Sequence, residues 1–292
     1  MGTKMLESLT GDDIYAAIVM LTSVPNRRAI LCVESGADAD CFAPHVNEDG
    51  VRFVPCNGKR NLMRAIELAD AADIKGVLGI RDRDWIGTLE DEPVSRNLVL
   101  TDIYDLDATL ILRTDIGKRT LIVFGSHDIV GQYIEKVGAH SAVDILVHIT
   151  SALGRLRLVS ERHSLRLSLE RFPVGQVVDI SSGEIRPDEM IALARRRSPE
   201  CTKTEEEIRE LFDSEPTAQE ELLCSGHDLG ATMAFLIQAA WGGARPAKDV
   251  ILKTVRSALA CSELRSLRLF DAVVAWERNS DWMIWSCPTT AA

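Results

Sequence analysis

Three acidic positions stand where a chain most readily builds a reactive site. Glu34 directly follows the apolar run AILCV at 29–33, and Asp82 and Asp84 directly follow GVLGIR at 76–81. Residues at the carboxyl ends of neighbouring parallel strands converge on one crevice. Carboxylates gathered there repel one another unless cations neutralise them. Magnesium suits such a site, because it takes hard oxygen ligands and usually only a few protein carboxylates; manganese accepts the same donors. The alternate spacing of Asp82 and Asp84 points both side chains the same way if the backbone stays extended. A plainer reading stands beside this one: acids often follow strands, and D-x-D alone is a weak signal. Lys59, in Asn57-Gly58-Lys59-Arg60, lies between a strand end and a helix start. Amides at a helix N-terminus favour anions, so Lys59 or Arg60 is placed to hold a phosphate, or else is an exposed turn lysine.

The elements that must position these residues are short. Residues 29–34, 51–56, 76–81 and 98–101 are strand-sized apolar runs of the kind buried on both faces of a parallel sheet. Between the second and third, Leu62, Ala65, Ile66 and Ala69 fall on one face of a helix over 61–72. A shorter helix is expected at 38–46, limited by Pro44. Strands alternating with helices predict an α/β, Rossmannoid parallel sheet with flanking helices. After about residue 115 the pattern changes. Residues 119–124 (RTLIVF) read as a strand, 128–158 as mostly helix, and 172–188 as punctuated by Pro and Gly with a hairpin. Residues 198–220 are charged with one short helix, and 226–260 are helical with a break at 241–246. The expected division is 1–115 for the α/β domain and 116–292 for a mainly helical C-terminal region.

The chain has 292 residues, 46% hydrophobic and 26% charged, which is globular composition. Its net charge of -11 excludes a dedicated basic duplex-binding domain. Any nucleic-acid contact must come from local Arg clusters, metal ions or a partner. The seven cysteines include no C-x-x-C pair, so neither a zinc site nor a disulfide framework is expected, and reduced thiols in a cytoplasmic protein fit better. The N-terminal residues lack the basic start and apolar run of a signal peptide, and no apolar run is long enough to span a membrane.

The run VESGADADCF (Val33 to Phe42) followed by GIRDRDW (Gly79 to Trp85) resembles the Toprim signature. CNGKRNLMRAIELA (Cys56 to Ala69), NLVLTDIYDLDATLI (Asn97 to Ile111) and SGHDLGATMAFLI (Ser225 to Ile237) narrow the resemblance. Together these look like the Toprim-like family of AriB-type effectors, which pairs with an ABC-type ATPase in the PARIS anti-phage system and is related to the Toprim domains of OLD-family nucleases. The resemblance implies a magnesium-dependent endonuclease acting on RNA, such as tRNA, or on DNA. It also implies an ATPase partner and a homodimer on release. By position, Glu34 would be metal ligand or general base, Asp82 and Asp84 metal ligands, and Asp105 and Asp107 a further acidic pair. Ser35 stands where the family usually has Gly, Asp38 keeps the family spacing, and Asp107 replaces a common Glu. The alternative to a nuclease is a non-catalytic module held and regulated by the ATPase.

Other residues carry weaker readings. Arg81 and Arg83 either screen the acids, touch a nucleic-acid backbone, or form structural ion pairs. Asp102 reads as a cap for the next helix. His227-Asp228 reads as a helix start with a satisfied histidine, or as a proton-handling pair. Arg195 to Arg197 end a helix, where cations suit the dipole. Trp276, Trp282 and Trp285 read as a hydrophobic plug or interface, with base stacking as the alternative.

Overall fold

The computed structural model describes residues 9–25, 27–216 and 219–288. The chain is α/β, with a four-stranded parallel sheet, flanking helices and a helical C-terminal region. It divides into two compact units, one built from the chain up to Asp102 and from Leu259 onward, the other from Ile103–Ala258. The sequence-based boundary at 115 therefore falls inside the second unit, and the last segment of the chain returns to the first. Sequence separation hides that return, because the interactions that bring it back are long-range.

In the first unit the order is α1 (Gly11–Thr22), β1 (Ala29–Val33), α2 (Gly36–Phe42), a 3₁₀ turn (Ala43–His45), β2 (Val51–Pro55), α3 (Lys59–Ala71), β3 (Val77–Arg81) and β4 (Leu98–Leu100). The strands lie in the order β2-β1-β3-β4, all parallel. Every residue of β1 and β3 is buried, which is why both read as unbroken apolar runs. Ile14 and Ile18 of α1, Leu62, Ala65 and Ile66 of α3, and Ile30 and Val77 of the sheet share one core cluster. Gly79 in β3 lets this packing close up: a Cβ there would lie 2.9 Å from the Leu98 side chain and 3.0 Å from that of Ile66, so both would have to shift. Capping boxes start α1 at Thr10/Asp13 and α2 at Ser35/Asp38.

In the second unit, α4 (Leu106–Arg113), α5 (Ile116–Phe124), α6 (His127–Val137) and α7 (Ala142–Arg162) precede the short hairpin β5 (Val178–Asp179) and β6 (Glu184–Ile185). Helices α8 (Pro187–Arg196), α9 (Glu205–Ser214), α10 (Gly226–Ala239) and α11 (Lys248–Ser257) complete it. The expected strand at 119–124 is instead the last two thirds of α5. Ile116, Thr120 and Leu121 are buried, while Ile122 and Val123 are exposed at 64% and 66%. Burial at helical spacing overrides the strand preference of a β-branched run.

Helices α12 (Cys261–Leu264) and α13 (Arg268–Arg278) belong to the first unit. Asp102 caps α13, accepting bonds from the Arg268 and Leu269 amides at 2.9 Å each, rather than the helix that follows it in sequence. Trp276 donates to Asn97 at 2.8 Å. Trp285 is 2% exposed, stacks on Phe270 at 5.9 Å and meets Phe42 at 5.7 Å. The tryptophans at 276 and 285 thus plug a core, as one sequence reading had it. Cys261 and Cys287 form a disulfide, against the expectation of reduced thiols. Among the described residues no helix is long and apolar enough to cross a membrane. Truncating a core aromatic costs about 3–5 kcal/mol. Trp285→Ala is expected to lower the urea-unfolding free energy by that much. A loss below ~1 kcal/mol would mean that the terminal segment is not part of this core.

Candidate active site

The site grows from the pairing of β1 with β3, in which Val33 lies opposite Ile80. The next residues along are Glu34 and the Arg81–Asp84 turn, so these leave the sheet side by side. Glu34 Oε1 accepts a hydrogen bond from the Asp82 amide at 3.1 Å. The Glu34 carbonyl accepts one from the Gly58 amide at 2.9 Å, which ties the end of β1 to the start of α3. Asn57 and Gly58 turn the chain with positive φ of 55° and 107°, and Lys59 opens the helix.

Asp82 and Asp84 lie beyond the end of β3, and Asp84 is left-handed with φ 47°. The extended backbone expected to aim both aspartates alike is therefore absent. A non-glycine residue in this region is uncommon and costs energy, so the turn must be held by its surroundings. Lys59 Nζ bonds Asp84 and Glu90, each at 2.9 Å, and Arg81 bonds Glu90 at 2.5 Å. Arg81 also lies 3.9 Å from Asp84. Arg81 is 4% exposed, and its Nε has no hydrogen-bond partner.

Burial pushes the Glu34 carboxyl up to about 7. The Asp82 amide opposes this, the charges of Asp84 and Asp38 add to it, and Arg81 opposes it. Burial pulls the Lys59 amine down, but its bonds to Asp84 and Glu90 outweigh this and lift it above the ordinary lysine value. Burial would raise Glu90, but Lys59 and Arg81 hold it below the usual carboxylate range.

The acids do not form a ready-made cage. Among the described residues, the one group of three ligating side chains with all ligand atoms within 4.8 Å of one another is His45, Cys261 and Cys287. Lys59 and Arg81 supply the neutralisation that the sequence reading assigned to a metal. The donor set still fits magnesium in kind, since that ion binds through one or two carboxylates and keeps several waters.

Asp105 and Asp107 have other partners, within the second unit. Asp105 caps α4 through the Ala108 amide at 2.7 Å and accepts from the Gly226 amide at 2.8 Å. Asp107 makes a bidentate pair with Arg256 at 2.6 and 2.8 Å. Asp228 does the same with Arg157 at 2.9 Å in both bonds, and its helix is capped by Ser225. His227 contacts the Lys248 amine. Arg195 and Arg197 are spent on loop carbonyls, those of Lys203 and Ser198 and of Ser168 and Glu170. Arg83 holds Thr101 and lies 3.6 Å from Glu92, so it acts structurally. Asp38 is the capping partner of Ser35. Sequence reasoning missed Glu90, whose only signal is an acidic cluster after the D-x-D turn, and His45. Comparison of the chain with protein-family models and with curated proteins gives no match.

Two outcomes follow. The folded state binds the Glu34 proton more tightly than the unfolded chain, so that stabilisation is complete below about 4.5 and is lost as pH rises through about 7. The stability of Glu34→Gln relative to wild type, from urea unfolding at several pH values, should rise over that window by at most ~3 kcal/mol. A pH-independent difference would contradict the buried carboxyl. Asp107→Ala removes the carboxylate that engages the Arg256 guanidinium through two bonds and should cost about 3 kcal/mol, with the response to magnesium unchanged. Full stability together with a lost magnesium response would return Asp107 to the ligand set.

Proposed function

We propose that this chain is a magnesium-dependent nuclease of Toprim type, hydrolysing RNA or DNA phosphodiesters. One observation carries the reading: at the end of β1, a carboxyl group raised to about 7 faces the backbone of a D-x-D turn at the end of the adjacent strand. A general base works best when its pKa lies near the operating pH. Strongly perturbed acids in such a place mark functional sites more often than chance.

Glu34, Asp82 and Asp84 would hold the cation, with manganese as a substitute. When bound, the ion polarises a phosphoryl oxygen and neutralises developing charge. The rest falls to the chain's own groups. Glu34 takes a proton from the attacking water at a carboxylate oxygen. The water oxygen bonds to phosphorus while the bond to the leaving oxygen breaks, and solvent protonates that oxygen. Lys59, released from Asp84, holds a non-bridging oxygen of the phosphate. Glu90 and Arg81 stay paired and keep the Lys59 amine near the turn.

The family resemblance supports a role as the toxic effector of an anti-phage system, held by an ABC-type ATPase and acting after release, with tRNA among its targets. The net charge of -11 favours a partner that sequesters or steers the chain. A cytoplasmic location follows from the same reading. The test is cleavage of total RNA and of plasmid DNA with magnesium, with and without chelator. Wild type should cut one of the two. Glu34→Gln should lose about 10²–10⁴-fold in rate, the usual worth of general base catalysis, while keeping its fold by circular dichroism. Cleavage at the wild-type rate in that variant would remove Glu34 from the mechanism. No cleavage by wild type, together with no thermal shift on adding magnesium, would favour a non-catalytic binding module.

A further inference from the structure

His45, Cys261 and Cys287 come together from opposite ends of the chain. His45 ends the 3₁₀ turn after α2 and is 5% exposed, Cys287 is 4% exposed, and Cys261 at the start of α12 is half-buried. Backbone bonds close the region: Ser286 donates to the His45 carbonyl at 2.8 Å, and Asn47 to the Ile284 carbonyl at 2.9 Å. Both sulfurs lie 3.7 Å from His45 Nδ1. Burial pulls the His45 imidazole below the ordinary histidine value, with the Leu259 backbone opposing it.

We propose that, when its sulfurs are reduced, this trio binds one zinc-type divalent cation that fastens the terminal segment to the turn after α2. Two features point to a metal rather than to a bare disulfide. The ligand types are those of zinc sites, thiolate and imidazole. In a tetrahedral site, Zn–S and Zn–N bonds of about 2.3 and 2.0–2.1 Å put nitrogen and sulfur about 3.6 Å apart. Both N–S edges already have nearly that length, at 3.7 Å. The S–S edge alone must change, opening from a covalent bond to about 3.8 Å.

Disulfide and metal site are thus alternative states of one cluster. A phosphine reductant breaks the S–S bond and leaves as phosphine oxide, taking its oxygen from water and giving two thiols. The thiols lose their protons to solvent as the cation binds. Water fills the fourth position from the side of half-buried Cys261. The other five cysteines, Cys32, Cys41, Cys56, Cys201 and Cys224, are buried and take no part in this group.

The test is anaerobic titration of the full chain with cobalt(II), before and after phosphine reduction and desalting. Reduced protein should bind one cobalt per chain, with a thiolate-to-cobalt charge-transfer band in the near ultraviolet that one equivalent of zinc abolishes. Oxidised protein should show no such band, and neither should Cys261→Ser or Cys287→Ser. His45→Gln should weaken cobalt binding at least tenfold. Should the serine variants misfold, reduced against oxidised wild type isolates the same two sulfurs without mutation. No band in reduced wild type overturns the proposal, as does an equal band in oxidised protein or in folded serine variants.

Discussion

The candidate site depends on the parallel pairing of β1 with β3. That register brings two strand ends out together, and the residues that follow have no choice but to be neighbours. Both strands are buried on both faces, so their ends lie at the rim of a dry core. A carboxyl placed there is desolvated, and the first cause of its raised pKa is burial. The neighbouring acids add repulsion. Asp84 and Asp38 push the Glu34 carboxyl further up, while Lys59 and Arg81 pair with Asp84 and Glu90. Protonation of Glu34 is one way to offset negative charge at this rim, and a bound cation would be another.

The central strands β1 and β3 could be read from sequence because strands buried on both faces are mostly apolar, and α3 because one face must be apolar at helical spacing; β2, at the sheet edge and partly exposed, was legible from its Val and Phe content alone. What escaped reading was pairing across distance. Glu90 meets Lys59 across 31 positions, Asp107 meets Arg256 across 149, and His45 meets Cys287 across 242. No spacing rule encodes such contacts, since they arise only once elements pack. The same holds for α5, whose Leu-Ile-Val-Phe run has strand-like chemistry but sits in a helical burial pattern. The left-handed turn at Asp84 was equally hidden: nothing in Asp-Arg-Asp says that the backbone leaves the extended region after Arg81.

Asp105 and Asp107 illustrate why a motif match is weaker than a charge balance. Asp107 is buried beside a guanidinium that it engages through two bonds. A carboxylate so placed gains little from a second cation and would have to abandon Arg256 to reach one, at a cost that grows with burial of the pair. Asp84 stands in a different position. Its partner is the flexible and half-exposed Lys59, which already shares its amine with Glu90.

That difference gives the proposed mechanism its internal logic. An ammonium is a compact charge on a flexible stem and exchanges partners easily, unlike the planar fork of arginine. Lys59 can leave Asp84 without becoming unpaired, because Glu90 retains it, and Glu90 is itself anchored by the buried Arg81. A divalent cation arriving at Asp84 would therefore displace Lys59 by a short distance. In the proposed mechanism the freed donors of its amine would hold the phosphate, which would couple cation binding and phosphate holding through one amine. A preformed cage would not be needed for this, because Lys59 keeps Glu90 as a partner when it leaves Asp84.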